Sequence, residues 1–386
     1  MGIGGVKEMK YEYWFANLQG ITNRRKREIR EKVTKLEELY YIEETALKQL
    51  GLEGKEQGSL IKSIKEWDLD KEYQKFAERG IQFVPITDSR YPKKLLDIDS
   101  APYALYVRGK LPDENKMTVA IVGARECSPY GESMAERFAK KLAQAGIQIV
   151  SGMARGVDSA GQRGALEVGG ESFGILGCGV DICYPRDAIG LYMDLQENGG
   201  VISEFPLGTK PLPQHFPARN RIISGLADAI LVMEAKEKSG SLITADMALE
   251  QGKDVFALPG PINSELSKGC NMLIKQGAGV LTSPEELLEE WGFSFSKNQQ
   301  KKNLMKFPLE TAENIVYSCL DFHPKSLDQL LTMTNYSVSE LLNILVGLEL
   351  KGMIKEISKN YYTIVEEDSN GTLSCDRGIA CKSKND

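Results

Sequence analysis

The chain of 386 residues has few of the residues that build metal centres and disulfide frameworks. It contains two histidines and seven cysteines, and no two cysteines have the CxxC spacing of a zinc or redox motif. The cysteines are scattered and odd in number, which argues against structural disulfides. The sequence therefore predicts no metal site.

Long apolar runs and an excess of positive charge are also missing. No stretch of about 18 apolar residues is present, and the N-terminal MGIGGVKEMKYEYW lacks the apolar core of a signal peptide. We therefore expect no membrane partner and a cytoplasmic location. The 48 basic residues are outnumbered by 54 acidic ones, which give a net charge of −6. Any site for a polyanion must therefore be local.

Common nucleotide-binding and catalytic motifs are absent as well. There is no GxxxxGK[ST] loop, and the first apolar strand, TVAIVG, runs into Gly-Ala-Arg where a dinucleotide site would have GxGxxG. No general base or nucleophile stands out. The sequence thus favours binding over catalysis and predicts no cofactor.

What is present indicates several domains. Residues 11–79 have helical periodicity, and two strand-like segments from Ile81 lead into the main domain. From Thr118 strands and helices alternate as far as Leu281, which predicts a doubly wound parallel sheet. We predict the following division of the chain: a helical domain of SAM-like or helix-hairpin-helix-like type at 1–80, an α/β domain at 81–295, a linker at 296–308, a winged helix at 309–366 and a disordered tail at 367–386.

The predicted winged helix rests on two capping boxes, which begin at Ser326 and Ser337, and on a hairpin near its end. Its second capped helix contains no Arg or Lys before Lys351. This composition argues against reading a DNA groove and favours a docking surface for a partner or for a dimer mate. In the helical domain, the basic run Arg24–Arg30 could bind nucleic acid, but a solvated helix face is the commoner role of such a run.

The clearest site signal is IQIVSGMARGVD, from Ile147 to Asp158, an apolar strand that opens through glycines onto a helix. Backbone N–H groups at such a helix start, with Arg155 beside them, are suited to a phosphate. Because other loops at the same predicted sheet edge also carry cations, we expect a joint phosphate-binding site there. The cations are Arg125, Arg155, Arg219, Arg221, Lys236 and Lys238.

The motifs AIVGAR, IVSGMARGVD, VISEFPLG, HFPARNRIISGLAD and VMEAKEKSGSLITADMALEQGKDVFALPG resemble, in order and spacing, the bacterial DNA-processing protein family DprA, also called Smf. The resemblance covers about Ile81 to Trp291. It implies an extended Rossmann-like domain that binds single-stranded DNA. It also implies a homodimer that loads the recombinase RecA onto DNA and, in naturally transformable (competent) bacteria, protects incoming strands.

Carried over by position, the resemblance adds binding residues to those found by pattern. The full predicted set for DNA and phosphate is Gly123, Arg125, Ser128, Ser151, Gly152, Arg155, Gly156, Phe216, Arg219, Asn220, Arg221, Lys236, Lys238, Ser239 and Gly240. One departure is Gln162, where many family members have a histidine. An alternative stays open: a nucleotide-processing enzyme of a related Rossmann-like family that acts on nucleoside monophosphates.

Overall fold

The computed structural model describes residues 3–43, 47, 50–293, 311–321 and 324–365. The chain divides into two compact units, Met1–Phe293 and Ser294–Asp386. The predicted linker at 296–308 and the predicted disordered tail at 367–386 lie outside the described residues. Within the described residues, no helix combines the length and hydropathy needed to cross a membrane.

The first unit begins with a helical segment that shares its core with the sheet. Its helices are α1 (Ile3–Ala16), α2 (Asn23–Lys32), α3 (Leu36–Tyr40), α4 (Gly54–Glu66) and α5 (Leu69–Ala77). On α1, the ring of Tyr13 stacks on Phe76 at 4.7 Å and meets Phe83 of the first strand edge-on at 5.4 Å. The buried carboxylate of Glu12 accepts a hydrogen bond of 2.5 Å from Tyr103, which precedes the second strand. These contacts place the helices in the same unit as the sheet.

The basic run on α2 is used mainly inside the protein. Lys26 is 4% exposed and its ammonium group donates to the carbonyl of Ala16, at the end of α1. Arg25 pairs with Glu28 and Glu56 at 2.8 and 3.2 Å. The run thus holds the helical segment together and does not form a continuous solvated face.

The sheet of the first unit has nine strands in the order β1-β2-β6-β5-β4-β3-β7-β8-β9. The strands are β1 (Gln82–Pro85), β2 (Ala104–Gly109), β3 (Thr118–Val122), β4 (Gln148–Ser151), β5 (Ser172–Ile175), β6 (Gly199–Ser203), β7 (Ala229–Val232), β8 (Asp254–Ala257) and β9 (Gly279–Val280). The last seven are parallel, which confirms the predicted α/β class. The lead-in strands β1 and β2 extend the same sheet in antiparallel fashion. The order reverses at β3, which has β4 on one side and β7 on the other.

Helices cover both faces of the parallel strands, because alternate residues of each strand enter different cores. On β3, Val119 and Ile121 belong to one core, and Ala120 and Val122 to the other. The helices are α6 (Pro129–Gln144), α7 (Val157–Glu167), α8 (Ile189–Glu197), α9 (His215–Leu226), α10 (Gly240–Glu250), α11 (Lys268–Lys275) and α12 (Pro284–Glu290). Helix α9 begins four residues before the predicted start at Arg219, so its first turn carries His215 and Phe216.

The second unit is a winged helix. It contains α13 (Thr311–Ser318), β10 (Lys325–Ser326), α14 (Leu327–Thr334), α15 (Val338–Leu350), β11 (Ile354–Ser358) and β12 (Tyr361–Ile364). Both predicted capping boxes are present. Helix α15 buries Leu341, Leu345 and Leu348 but leaves Val346 and Leu350 53% and 82% exposed. This helix has an exposed apolar side and no basic residue.

Candidate nucleic-acid interface

A pocket of about 230 Å³ opens where β3, β4 and β5 end, beside the start of α9. Three adjacent parallel strands end at the same edge, so the loops that follow them meet there. The lining residues are Arg125, Gly152, Met153, Ala154, Arg155, Leu176, Gly177, Cys178, Tyr184, Pro185, Arg186, Phe216 and Arg219. Five of the predicted binding residues are therefore brought together: Arg125, Gly152, Arg155, Phe216 and Arg219.

Arg219 supplies a buried positive charge to this pocket. Its side chain projects from α9 and its Nη1 donates to the carbonyl oxygens of Gly152, at 2.7 Å, and Ile175. The residue is 4% exposed, and burial lowers the pKa of its guanidinium to about 10, against the opposing effect of Asp158. The group is still a cation at neutral pH, anchored by the ends of β4 and β5.

Gly152 occupies the narrow space between Arg219 and Asp158. Its carbonyl accepts from Arg219, and its N–H donates to Asp158 Oδ2 at 3.0 Å. A Cβ atom here would lie 2.6 Å from Arg219 Nη2 and 2.7 Å from Asp158 Oδ2. A side chain at this position would therefore have to displace Arg219 or Asp158.

Carboxylates of the protein lie close to two helix starts at this edge. At α7, Asp158 of the first turn accepts from the N–H of Gly152 in the preceding loop, and burial raises the pKa of this carboxyl group. At α6, the N-cap Ser128 donates to Glu234 through its N–H at 2.7 Å and through its hydroxyl at 2.6 Å. Glu234 therefore takes the place that an external anion would occupy at the start of α6.

The predicted glycines Gly123 and Gly156 serve packing near these helix starts. A Cβ atom on Gly123 would lie 2.7 Å from the Val157 side chain, at the start of α7. Gly156 has φ of 73° and lies against the backbone carbonyls of Ala124 and Arg125. Both glycines bring the loop after β3 close to α7, which positions Arg125 at the pocket.

Arg125 and two aromatic rings form one wall of the pocket. The guanidinium of Arg125 is exposed and lies 5.5 Å from the centroid of Phe216. The Phe216 ring in turn lies 5.4 Å from that of Tyr184, with 33° between their planes. This wall offers a positive charge beside flat apolar faces, a combination suited to a phosphate with an attached base.

The loops after β4 and β5 add Arg155 and Arg186 to the lining. Arg155 is exposed and pairs through Nε and Nη2 with Asp187 Oδ2, both at 2.9 Å. Because this pair is open to solvent, its net contribution is small and a phosphate can compete for Arg155. Arg186 is exposed on the loop after β5.

The structure gives several other predicted residues different surroundings. Arg221 forms two hydrogen bonds of 2.6 and 2.7 Å with Glu204, which also accepts from Asn23 on α2. The buried hydroxyl of Ser151 donates to the carbonyl of Ile121. Ser128 is held by Glu234, as described above. These three side chains are therefore engaged with the protein and do not line the pocket.

The loop between β7 and α10 also lies outside the pocket lining. Lys236 and Lys238 are exposed there, and Ser239 caps α10. The following residue, Gly240, accepts a hydrogen bond of 3.4 Å from the side chain of Asn220. The two lysines can contact only ligand that extends beyond the pocket.

Sequence reasoning missed Tyr184 and Arg186 as lining residues. Both follow β5, whose carboxyl end was recognised, but only Gly177-Cys178-Gly179 was considered in the loop after that strand. An aromatic residue and a cation on either side of Pro185 were the available signal. Because both residues lie about ten positions after the end of β5, they were not assigned to the sheet edge.

Gln162 and Cys178 do not add chemistry to the site. Gln162 is fully buried, its amide donates to the carbonyl of Phe173, and it does not line the pocket. Burial raises the pKa of the Cys178 thiol to about 11, so it is protonated at neutral pH and a poor nucleophile. In the described part of the chain, no cluster of His, Cys, Asp and Glu could hold a metal ion.

Comparison with protein families gives two matches on this chain. Residues 82–292 match the model described as DNA recombination-mediator protein A. Residues 301–358 match the DprA winged helix domain. The first match spans the whole pocket and more than half of the chain.

Individual relatives show the same likeness. Protein Smf of Escherichia coli is 40% identical over 290 residues, which cover 72% of this chain and 76% of the relative. DNA processing protein DprA of Streptococcus pneumoniae is 42% identical over 225 residues, covering 58% and 78%.

Two solved structures are also similar. The X-ray structure of DprA from Streptococcus pneumoniae has a TM-score of 0.65 at 35% identity and covers 74% of this chain and 99% of that one. A Helicobacter pylori DNA processing protein A structure, which concerns a single-stranded DNA binding mode, has a TM-score of 0.50 at 29% identity. It covers 56% of this chain and 98% of that one.

Proposed function

We propose that this chain, which belongs to the DNA recombination-mediator protein A family, binds single-stranded DNA at the pocket beyond β3, β4 and β5. The protein acts there as a mediator in DNA processing and recombination and catalyses no reaction of its own. The relative from Helicobacter pylori, whose structure concerns single-stranded DNA binding, supports this ligand.

One observation carries the proposal: four arginines line one small pocket that has no acidic lining residue. Glu234 already occupies the start of α6, and the guanidinium groups of the lining offer charged donors to an external anion. Guanidinium groups match phosphate oxygens in geometry and charge. In a chain of net charge −6, this local excess of positive charge favours a phosphate ligand.

The aromatic wall favours a single strand over a duplex. Phe216 and Tyr184 present ring faces beside Arg125. An unpaired base can stack on such a face whatever its identity, whereas a paired base in a duplex keeps its faces covered by its neighbours. We therefore expect binding without sequence preference.

The lining residues also favour binding over the alternative, hydrolysis of nucleoside monophosphates. The pocket is lined by arginines, aromatic rings and small residues, with no carboxylate or histidine to act as a general base. The exposed carboxylate of Asp187, which follows the lining residue Arg186, is paired with Arg155. The Cys178 thiol is protonated, as its raised pKa requires.

The partners implied by the family are RecA and a second copy of the chain, and the winged helix is the surface we assign to such protein contacts. Helix α15 has no Arg or Lys, and Lys351 after it pairs with Glu313 at 2.6 Å. Phosphate contacts from this helix would lack a cation, whereas its exposed Val346 and Leu350 can be buried against a protein.

A salt titration of strand affinity tests the proposal. With fluorescently labelled oligonucleotides, we expect single strands to bind more tightly than a duplex or a nucleoside monophosphate. If about four phosphates are neutralised, log affinity should fall with log salt at a slope near −3, from about 0.7 per phosphate. A slope near zero, or measurable turnover of the monophosphate, would reject the binding role.

A further inference from the structure

We propose that the pocket recognises the terminal phosphate of a DNA strand, a phosphomonoester, in preference to the phosphodiesters within the strand. This inference rests on the proposed function, because it names which part of the single strand enters the pocket. It follows from the charge and the size of the pocket.

The positive charge of the groups around the pocket exceeds the single negative charge of one internal phosphate. Arg125, Arg155, Arg186 and Arg219 contribute four positive charges. Two carboxylates contact this set: Asp187 pairs with Arg155, and Asp158 lies behind Gly152. With both ionised, four minus two leaves two positive charges on these six groups. An internal phosphodiester carries one negative charge, whereas a phosphomonoester carries about −1.5 to −2 at pH 7.

The buried position of Arg219 makes this imbalance costly. The guanidinium is 4% exposed, so solvent screens its charge poorly. Its neighbours in hydrogen bonds are the neutral carbonyls of Gly152 and Ile175 and the side chain of Asn220. A ligand with the larger negative charge therefore gains more from this site than a monoanion does.

The small size of the pocket favours one phosphate over two internal phosphates bound together. Its volume of about 230 Å³ is below the range of roughly 300 to 1,000 Å³ typical of sites for drug-sized ligands. One phosphate with part of its nucleotide suits this volume. The remaining strand must leave the pocket, where the exposed Lys236 and Lys238 offer further charge.

A phosphomonoester also has one more terminal oxygen than a phosphodiester. Three such oxygens can accept from several guanidinium groups placed around them. Arg125, Arg155 and Arg186 reach the pocket from three different loops, those after β3, β4 and β5. An internal phosphate has two free oxygens and is linked to the strand on both sides. It therefore leaves some of these guanidinium groups without a phosphate oxygen as acceptor.

Competition between defined strand ends tests the inference on the full-length protein. The competitors are one sequence with both ends hydroxyl, with a 5′-phosphate or with a 3′-phosphate, and a circular single strand of the same composition. A hydroxyl-ended oligonucleotide one nucleotide longer controls for the added charge. We expect one phosphorylated form to compete about tenfold better, the effect of a charge-assisted contact. The phosphorylated form that competes better shows whether the pocket recognises the 5′ or the 3′ end of the strand.

Two variants test whether the preference for a terminal phosphate arises in the pocket. Arg186→Gln removes an exposed pocket cation and should reduce the preference to about twofold or less. Arg163→Ala removes an exposed arginine of α7 that does not line the pocket, and should keep the preference. Thermal melting verifies that both variants fold.

The outcomes separate this inference from the proposed function. Equal competition by all strands, or a preference that Arg186→Gln leaves intact, overturns recognition of the end while single-strand binding stands. Failure of every strand to bind rejects both.

Discussion

At the scale of single residues, Gly152 shows how closely the site is built. The residue donates to Asp158 and accepts from Arg219, so two opposite charges are held apart by one peptide unit. Any side chain here must displace one of them. Because both partners are buried, neither can move into solvent without losing its hydrogen bonds.

We predict that Gly152→Ala lowers both stability and strand affinity. The added methyl group overlaps Arg219 Nη2 and Asp158 Oδ2, and such overpacking costs about 1 to 3 kcal/mol. Gly58→Ala is the matched control, because a Cβ atom there meets nothing within 4 Å and the residue lies within α4. Denaturant unfolding and anisotropy measure the two effects. Unchanged unfolding and affinity in Gly152→Ala would contradict this prediction, because they would show that Arg219 and Asp158 can move apart at no cost.

The residue scale also shows what sequence reasoning could reach. The pattern of glycines and arginines after successive strands predicted Arg125, Arg155 and Arg219 at one edge, and the structure brings them together. It could not reveal that Ser128 is bound by Glu234, 106 positions later. Such contacts depend on how separate loops meet, which local periodicity does not encode.

At the scale of elements, Arg221 connects α9 to β6 and to the helical segment. It holds Glu204 through two hydrogen bonds, and Glu204 also accepts from Asn23 of α2 at 2.9 Å. The Arg221 and Glu204 side chains are 14% and 9% exposed. This is a largely buried ion pair between elements, and the strand-by-strand pattern of the sequence gave no indication of it.

We predict that Arg221→Ala acts on stability and leaves strand affinity within a few-fold. The change leaves the Glu204 carboxylate buried without its counter-charge, which costs about 3 to 5 kcal/mol. The double variant Arg221→Ala/Glu204→Ala should recover part of the loss, because no unpaired charge is left. Chemical unfolding of the set measures this coupling. A tenfold loss of strand affinity with unchanged unfolding would mean that Arg221 contacts DNA directly.

Elements were easier to predict than their contacts. The alternation of apolar strands and helices predicted the parallel strands β3 to β9 and both capping boxes of the winged helix. The antiparallel addition of β1 and β2 was missed, because strand direction depends on partners distant in sequence. The early start of α9 was missed because Pro217 falls within its first turn, where proline is tolerated.

At the scale of the whole molecule, our proposal assigns DNA to the first unit and protein partners to the second. The first unit holds the arginine pocket, and the second presents α15 with its exposed Val346 and Leu350. The apolar side of α15 suits protein contacts, and the partners we propose are a RecA recombinase or a second copy of the chain.

Removal of all residues after Lys306 tests this division. We predict that single-strand affinity stays within a few-fold, because α15 contributes no cation, while partner contacts or assembly change. Anisotropy measures the first effect, and sedimentation together with RecA pull-down measures the second. A loss above about 1.4 kcal/mol, which is tenfold in affinity, would show that the winged helix touches DNA.

The central claim is that a DNA phosphate binds the arginines of the pocket, and single-strand affinity of Arg125 variants measures it most directly. Arg125 is exposed beside Phe216, so its loss should leave the fold intact. We predict that Arg125→Ala weakens binding by about 1.5 to 3 kcal/mol, the range for a charged hydrogen bond. Arg125→Lys should recover only part of this, because it keeps the charge but loses the planar fork. Arg163→Ala is the matched control outside the pocket. Wild-type affinity in Arg125→Ala would contradict the account.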